Sequence, residues 1–293
     1  MLNVERLCVK KEGEFEVLKG CTSAKRAGVK KQDRALYEER TQQNLQQLAL
    51  LQEKLYAEGK EGVVVVLQAM DAAGKDSAVK HVIGAVNPQG VDVVSFKQPT
   101  KEELAHDYLW RAFRALPQRG KMAIFNRSYY EDVLVVQVHH LEKTYRMADR
   151  CIEEDFFEKR YRQITDFERY LYENSYRVVK IFLNVSSEKQ KERFLERIDD
   201  PAKNWKFSAA DLKERAFFDR YQEIYQDVID ATARPHTPWY IVPADQKWLA
   251  RYCISEILVQ ALREIDPQFP QLSEEEKKNL AQCRSLLTEQ KEE

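Results

Sequence analysis

The stretch VVVVLQAMDAAGKDS, residues 63–77, joins an apolar run to a helical pattern through a turn of small residues. The run 63–67 does not alternate with polar residues, which is typical of a strand buried on both faces of a parallel sheet. Val79, Val82 and Val86 then recur at helical spacing. This order of strand, turn and helix predicts a parallel α/β fold with a loop at the carboxyl end of its first strand.

The same alternation continues along the chain. Four further apolar runs predict strands at 91–96, 121–125, 177–185 and 238–243. Helices are expected at 33–58, from Thr100 to about 115, at 150–174, from a capping pattern of Ser187 and Gln190, after Ser208 and at 245–265. We therefore expect a three-layer α/β/α sandwich around a five-stranded parallel sheet.

The remaining segments set the predicted boundaries. Residues 1–62 should form a mobile arm (1–32) followed by an amphipathic helix, 63–266 the core and 267–293 a charged tail or peripheral helix. None of these segments is an internal repeat of another.

Composition excludes several classes of protein. A net charge of -1 provides no global field that would drive nonspecific binding of nucleic acid or membranes, so any polyanion must be held by local patches. Neither nucleic acid nor a membrane is expected as a partner. The five cysteines are far apart and form no C-x-x-C pair, which argues against zinc or a disulfide framework and favours the reducing cytoplasm. No apolar stretch approaches the roughly 18 residues of a membrane span, and the first residues lack the apolar region of an export signal.

Residues 68–77 have the features of a phosphate loop. Backbone N–H groups can curl around an anion only where side chains are small, and a lysine neutralises the outer phosphates. Ala72, Ala73, Gly74 and Lys75 meet these needs, although Ala69 and Asp76 depart from G-x-x-x-x-G-K-[ST]. The alternative is a tight strand-to-helix turn with a solvated lysine. A dinucleotide fold is disfavoured because no strand is followed by G-x-G-x-x-G.

Asp71 is poorly explained by a simple turn. A carboxylate within a phosphate loop repels its ligand unless a metal ion lies between them. We therefore predict Mg²⁺ at Asp71, with Mn²⁺ as an alternative. The adjacent pair His139 and His140 is expected at the surface and not in a metal site, because neighbouring residues point to different sides of a helix.

A cluster of cations lies between residues 110 and 121 without an acid: Arg111, Arg114, Arg119 and Lys121. It could bind a polyanion, or it could be the solvated end of a helix.

Several long motifs then occur in order and resemble the family-2 polyphosphate kinases over about residues 50–265. Besides the phosphate loop they are NPQGVDVVSFKQPTKEELAHDYLWR (87–111), IFNRSYYEDVLV (124–135), RVVKIFLNVSSEKQKERFLERIDDPAKNWKF (177–207), DLKERAFFDRYQEIY (211–225) and PWYIVPADQKW (238–248). The resemblance implies a P-loop kinase fold with a cationic helical lid at about 193–215.

The resemblance also implies an activity. Such an enzyme transfers the terminal phosphoryl group of polyphosphate to a nucleotide, reversibly. The segment 126–131, NRSYYE, stands where many diphosphate-specific members have D-R-S-W-Y-N, so the chain is most similar to the class III subgroup, which accepts AMP and ADP. Adenine or guanine nucleotides, a cytoplasmic location and a homo-oligomer, dimer or tetramer, are expected on the same ground.

The predicted site combines both arguments. The catalytic residues are Asp71, Lys75 and Arg127, and the acceptor residues are Asn126, Tyr130 and Glu131. The phosphate- and polyphosphate-binding residues are Ala72, Ala73, Gly74, Lys75, Asp76, Ser77, Lys97, Arg111, Arg127, Arg193, Arg197, Lys203 and Lys206. Glu131 has a structural alternative as the partner of Ser128 in a capping box.

Phosphoryl transfer depends mainly on alignment and on cations around the moving group, and an acceptor phosphate is already ionised, so no strong general base is needed. Two other functions remain open: an ATP-dependent nucleotide kinase on the same fold, and a nucleotide-binding regulatory protein without turnover.

Overall fold

The structure is a computed structural model that describes residues 1–17 and 20–289. Its sheet has six strands: β1 (Cys8–Val9), β2 (Gly62–Ala69), β3 (Val91–Ser95), β4 (Met122–Asn126), β5 (Tyr176–Asn184) and β6 (Trp239–Pro243). Their order is β1-β6-β5-β2-β4-β3, with β2 to β6 parallel and β1 antiparallel to β6. The five predicted parallel strands are confirmed, and β1 is an addition at the edge.

Ten α-helices accompany the sheet in the described part of the chain. They are α1 (Arg34–Glu58), α2 (Lys75–His81), α3 (Trp110–Arg114), α4 (Val135–His139), α5 (Phe156–Glu173), α6 (Ser187–Asp199), α7 (Ala209–Arg215), α8 (Phe218–Thr232), α9 (Lys247–Ile265) and α10 (Glu274–Glu289). Within the described residues, no helix combines the length and apolarity that crossing a membrane requires.

The helices form one layer on each side of the sheet. On one side α1 packs along α9, where the Asn44 amide donates to Glu256 Oε2 at 2.9 Å. On the other side α4 and α5 pack against α8. Between these layers, residues 63–67 of β2 are at most 1% exposed. The three-layer prediction is confirmed, and burial on both faces explains why β2 shows no alternation.

The expected helix from Thr100 to about 115 is wrong in extent. The capping box forms, with Thr100 N–H donating to Glu103 Oε2 at 2.7 Å. Only a 3-10 turn follows it, because the Asp107 carboxylate accepts from Leu109 N–H at 3.0 Å and starts a new local turn. The segment therefore forms the turn Glu103–Ala105 and the short α3 instead of one helix.

The first residues are packed, which corrects the predicted mobile arm. Val4, Val9 and Val17 are at most 2% exposed, and β1 covers the edge of β6. These apolar residues are scattered without a period, so no local pattern predicts that they are buried. Residues 18, 19 and 290–293 of the predicted arm and tail lie outside the described residues.

Candidate active site

The phosphate loop leaves β2 at Met70 and enters α2 at Lys75. Two residues within it have positive φ, Ala72 at 58° and Gly74 at 116°. Residues that alternate between right- and left-handed conformations turn successive N–H groups toward one side, which forms an anion-binding nest. Alanine adopts this conformation at a cost, and such strain is concentrated at functional sites.

Lys75 is the first residue of α2 and directly follows this loop. Its ammonium donates to Ala69 O at 2.7 Å. Burial lowers the pKa of Lys75, and the carboxylate of Asp71 is the main group that opposes this. An ammonium has three protons, so this contact occupies only part of its capacity.

Arg127 comes from the neighbouring strand. It follows β4 with a φ of 63°, and its backbone N–H donates to Leu67 O at 3.1 Å. Its guanidinium lies 3.1 Å from Asp71 Oδ1 and 3.9 Å from Glu131 Oε2. Glu131 is the main cause of a raised pKa for Arg127. The structure thus brings the three predicted catalytic residues together from the ends of two adjacent strands.

Glu131 points into the same space and does not complete a capping box. The Gln68 amide nitrogen donates to Glu131 Oε1 at 3.0 Å. Its oxygen accepts from Ser128 Oγ at 3.0 Å and from Ser128 N–H at 3.2 Å. Ser128 Oγ instead caps Tyr130 N–H at 3.1 Å. Burial raises the pKa of Glu131, and Arg127 and Lys75 oppose this. Glu131 is therefore placed as a residue of the cleft.

A cleft of about 390 Å³ opens in front of these groups. It lies between the phosphate loop and the helices α7 and α8. Its lining includes four carboxylates and two guanidinium groups, those of Asp71, Glu131, Asp211, Glu214, Arg127 and Arg215, together with Gln98, Gln190, Tyr221 and Tyr225. This excess of carboxylates would repel a phosphate unless a cation accompanies it.

Comparison with known proteins agrees with this geometry. The family model described as "Polyphosphate kinase 2 (PPK2)" matches residues 31–270. The chain belongs to the polyphosphate kinase 2 family. It is 44% identical to an ADP-polyphosphate phosphotransferase of Rhodopseudomonas palustris over 86% of this chain and 88% of that protein. It is 46% identical to an AMP/ADP-polyphosphate phosphotransferase of Meiothermus ruber over 76% of this chain and 80% of that protein.

A solved structure supports the fold. Polyphosphate kinase 2 from Arthrobacter aurescens superposes with a TM-score of 0.80 at 39% identity, covering 88% of this chain and 87% of that one. The resemblance that the motifs indicated is therefore confirmed for the family and for the P-loop kinase fold.

Two acceptor residues predicted for this polyphosphate kinase 2 family member occupy different settings. The Asn126 amide donates to Asp76 Oδ1 at 3.2 Å, at the edge of the phosphate loop. Tyr130 is fully buried, and its hydroxyl donates to Glu168 Oε1 at 2.8 Å. Tyr130 therefore faces away from the cleft, and its prediction as an acceptor ligand is wrong in this structure.

Arg193 also differs from its prediction as a phosphate ligand. Its side chain is 5% exposed and donates to Ala72 O at 2.9 Å, Ala73 O at 2.7 Å and Ala244 O at 2.7 Å. The guanidinium holds the back of the loop and so belongs to the scaffold of the site. Arg197, Lys203 and Lys206 lie further along, where Arg197 donates to Lys206 O at 3.2 Å and the two lysines are exposed.

The cationic cluster between residues 110 and 121 is divided. Arg111 donates to Lys97 O at 3.0 Å and lies over the Phe96 ring, close to the carboxyl end of β3. Arg119 donates to Asn174 O at 3.1 Å and, with Lys121, precedes β4. Five strand residues separate Lys121 from the active edge of the sheet, a distance of about 17 Å. Arg119 and Lys121 therefore lie far from the cleft.

Sequence reasoning missed three polar residues at this site. Gln68 supports Glu131, as described above. Gln190 is 1% exposed and donates to Asp71 O at 3.0 Å. Arg251 donates to Ser77 Oγ at 3.1 Å. The spacing of Gln190 from Ser187 predicts that the two residues form the cap of a helix. That prediction is wrong, because Ser186 is the residue that caps α6.

Proposed function

We propose that this polyphosphate kinase 2 family member transfers the terminal phosphoryl group of inorganic polyphosphate to AMP and to ADP, giving ADP and ATP, and that it catalyses the reverse reactions. The observation that carries the proposal is a phosphate loop whose Ala69 carbonyl is bound by the Lys75 ammonium, next to a cleft lined by Asp71, Arg127 and Glu131. The relatives named as ADP- and AMP/ADP-polyphosphate phosphotransferases support the choice of substrates.

The donor would bind by its outer phosphates in the nest formed around Ala72 and Gly74. Lys75 and Arg127 would then flank the phosphoryl group in transfer. Cations in these positions act most strongly where charge spreads over the equatorial oxygens of the transition state. Arg127 is pre-oriented for this by its contacts with Asp71 and Glu131.

The acceptor would occupy the cleft with its phosphate toward Arg127. Because a nucleotide phosphate is ionised at neutral pH, the enzyme needs no residue to remove a proton. Glu131 and Arg127 would together limit how far the acceptor phosphates extend, and we propose that Glu131 in this way helps to set acceptor length.

The residues present fit Mg²⁺. The Asp71 carboxylate is 29% exposed and lines the cleft. Among residues 1–17 and 20–289 no group of three metal-binding side chains occurs, so the protein would offer Asp71 while the substrate phosphates complete the coordination, which is the usual mode for Mg²⁺. When bound, the ion would neutralise charge between donor and acceptor phosphates. Mn²⁺, which also accepts oxygen ligands, is the alternative.

A cytoplasmic location and a homo-oligomeric state remain predictions that rest on composition and on the family resemblance.

Activity can be tested by chromatographic separation of nucleotides after incubation with Mg²⁺, long-chain polyphosphate and either AMP or ADP. We expect ADP and then ATP from AMP, and ATP from ADP. Lys75→Ala should abolish both, whereas Lys80→Ala, which removes an exposed lysine of α2, should not. A parallel incubation with ATP as donor and no polyphosphate tests the rival kinase.

Each outcome selects one hypothesis. Conversion of ADP but not AMP would reject the role of Glu131 in admitting both acceptors. Transfer from ATP without transfer from polyphosphate would reject the proposed donor. Nucleotide binding without any turnover would favour a regulatory protein.

A further inference from the structure

Three consecutive carbonyl groups of the phosphate loop accept hydrogen bonds from side chains of α6. Asp71 O accepts from the Gln190 amide at 3.0 Å, and Ala72 O and Ala73 O accept from Arg193 at 2.9 and 2.7 Å. Gln190 and Arg193 are three residues apart and so lie on one face of the helix. That face therefore fixes the orientation of three peptide groups in the loop.

The orientation of these peptides matters for anion binding. A carbonyl oxygen carries partial negative charge, and its peptide N–H points the opposite way. Hydrogen bonds from α6 hold these carbonyl oxygens, so that they do not turn toward an incoming phosphate and the N–H groups of the nest need no reorganisation. The hydrogen bonds from α6 thus pre-organise the nest.

Gln190 also binds a residue at the end of α7. Its Oε1 accepts from Arg215 Nη1 at 2.7 Å. Arg215, the last residue of α7, also donates to Ser187 O and Ser187 Oγ, both at 3.0 Å. Residues 191–214, here called the lid segment, are therefore closed at their base by the contact between Gln190 and Arg215.

The two contacts of Gln190 depend on each other. Its amide has one oxygen and one nitrogen, and here the oxygen faces a donor while the nitrogen faces an acceptor. Rotating the amide by half a turn would place nitrogen against guanidinium and oxygen against carbonyl. The position of Arg215 therefore also fixes how Gln190 holds Asp71.

We infer that Gln190 is a positioning residue that couples the base of the lid to the phosphate loop. With Arg215 in place, the Gln190 amide is held in one orientation and its nitrogen donates to Asp71 O. When Arg215 moves away together with the lid segment, the amide can rotate and this hydrogen bond is no longer fixed. Where turnover is the readout, this inference rests on the proposed function.

Four variants test the coupling. Gln190→Ala and Arg215→Ala should each lower kcat/KM for polyphosphate by about 10- to 100-fold, because each removes buried hydrogen bonds to a charged or pre-organised group. The kcat/KM of the double variant should be no lower than that of the less active single variant, since both substitutions act through one contact. Gln190→Glu keeps an acceptor for Arg215 but loses the donor to Asp71 O, so it should impair turnover to a similar degree. Arg220→Ala, which removes an exposed arginine of α8, is the matched control and should stay within about twofold.

Limited trypsin digestion without substrates measures how readily the lid segment is cleaved, and so how often it opens. Lys203 and Lys206 are exposed within the lid segment, whereas Lys277 and Lys278 on α10 provide an internal standard. Relative to that standard, we expect faster lid cleavage in Gln190→Ala and Arg215→Ala, and cleavage like the unmodified protein in Gln190→Glu. A merely structural role for Gln190 would not separate turnover from lid cleavage in this way.

Opposite results would overturn the inference. These are losses that multiply in the double variant, full turnover in Gln190→Glu, or unchanged lid cleavage in Gln190→Ala. Should Gln190→Ala not fold, Arg215→Ala and Gln190→Glu provide the same tests. If the unmodified protein transfers no phosphoryl group from polyphosphate, the proposed function fails, while the digestion still decides whether the contact closes the lid.

Discussion

A fully buried ion pair supports the segment that carries Arg127. Glu168 on α5 and Lys180 on β5 are both 0% exposed and lie 2.7 Å apart. Glu168 Oε1 also accepts from the hydroxyls of Tyr129 and Tyr130 at 2.9 and 2.8 Å, and Lys180 donates to Thr232 O at 2.8 Å. We predict that Glu168→Gln strongly destabilises the fold, because glutamine keeps the shape but removes the only charge that directly compensates the ammonium among the described contacts.

The loss in the free energy of unfolding is limited by the cost of removing the proton from Lys180. Losing one partner of a buried pair typically costs about 3–5 kcal/mol. Burial already lowers the pKa of Lys180, and Glu168 is the main group opposing this. Without Glu168 the amine can lose its proton, and neutralising a lysine of ordinary pKa 10.5 at pH 7 costs about 5 kcal/mol. The free energy of unfolding should therefore fall by about 3–5 kcal/mol, which lowers Tm by roughly 5–8 °C.

The pH dependence identifies the cause. In the variant the folded state holds a neutral lysine while the unfolded state holds a protonated one, so the unfolded state binds more protons and stability rises with pH. The deficit relative to the unmodified protein should shrink by up to about 2.7 kcal/mol between pH 7 and pH 9, the limit for one proton.

Equilibrium urea unfolding at both pH values measures this deficit. Asp166→Asn, which breaks the exposed pair with Arg169 on the same helix, is the control and should change stability by less than about 1 kcal/mol at either pH. A deficit in Glu168→Gln that is the same at pH 7 and pH 9, or no larger than that of the control, would refute the reasoning.

Three further predictions concern the site and its surroundings. Burial raises the pKa of Asp132 from 3.8 to about 6, so between these pH values the folded state holds a proton that the unfolded state has lost, and stability falls as pH rises. Asp132→Asn, whose side-chain oxygen still accepts from Tyr145, should raise the free energy of unfolding by up to about 3 kcal/mol at pH 7 and by little at pH 3. Urea titrations at the two pH values measure this difference. Gly74→Ala should lower stability by about 1 kcal/mol or more and reduce phosphoryl transfer, because alanine is strained at a φ of 116°, and unaltered kinetics would count against the nest. Arg127→Lys should lower kcat at least about tenfold without unfolding the protein, since an ammonium cannot contact Asp71 and the transferred group together, and steady-state assays with far-UV circular dichroism separate the two effects.

The parts of the fold that sequence predicted best are those in which one physical cause dominates. The apolar run 63–67 is buried on both faces, so its lack of alternation was decisive. The loop after it needs small residues, which Ala72, Ala73 and Gly74 supply, and Ala72 and Gly74 adopt positive φ. By contrast, β1 consists of two residues whose pairing with β6 depends on a partner about 230 positions away in the chain, which no local pattern reveals.

The location of a side chain could be predicted from sequence where backbone geometry and residue type point the same way, but not where neighbours decide its direction. Arg127 and Tyr130 are three residues apart in one motif, yet the positive φ of Arg127 turns it into the cleft, while the hydroxyl of Tyr130 binds Glu168 in the interior. Arg193 carries the charge expected of a phosphate ligand, but carbonyl groups of the loop surround its guanidinium. In each case residue type gives the available chemistry. Packing, of Tyr130 against α5 and of α6 against the loop, decides whether that chemistry serves the substrate or the scaffold that holds the loop.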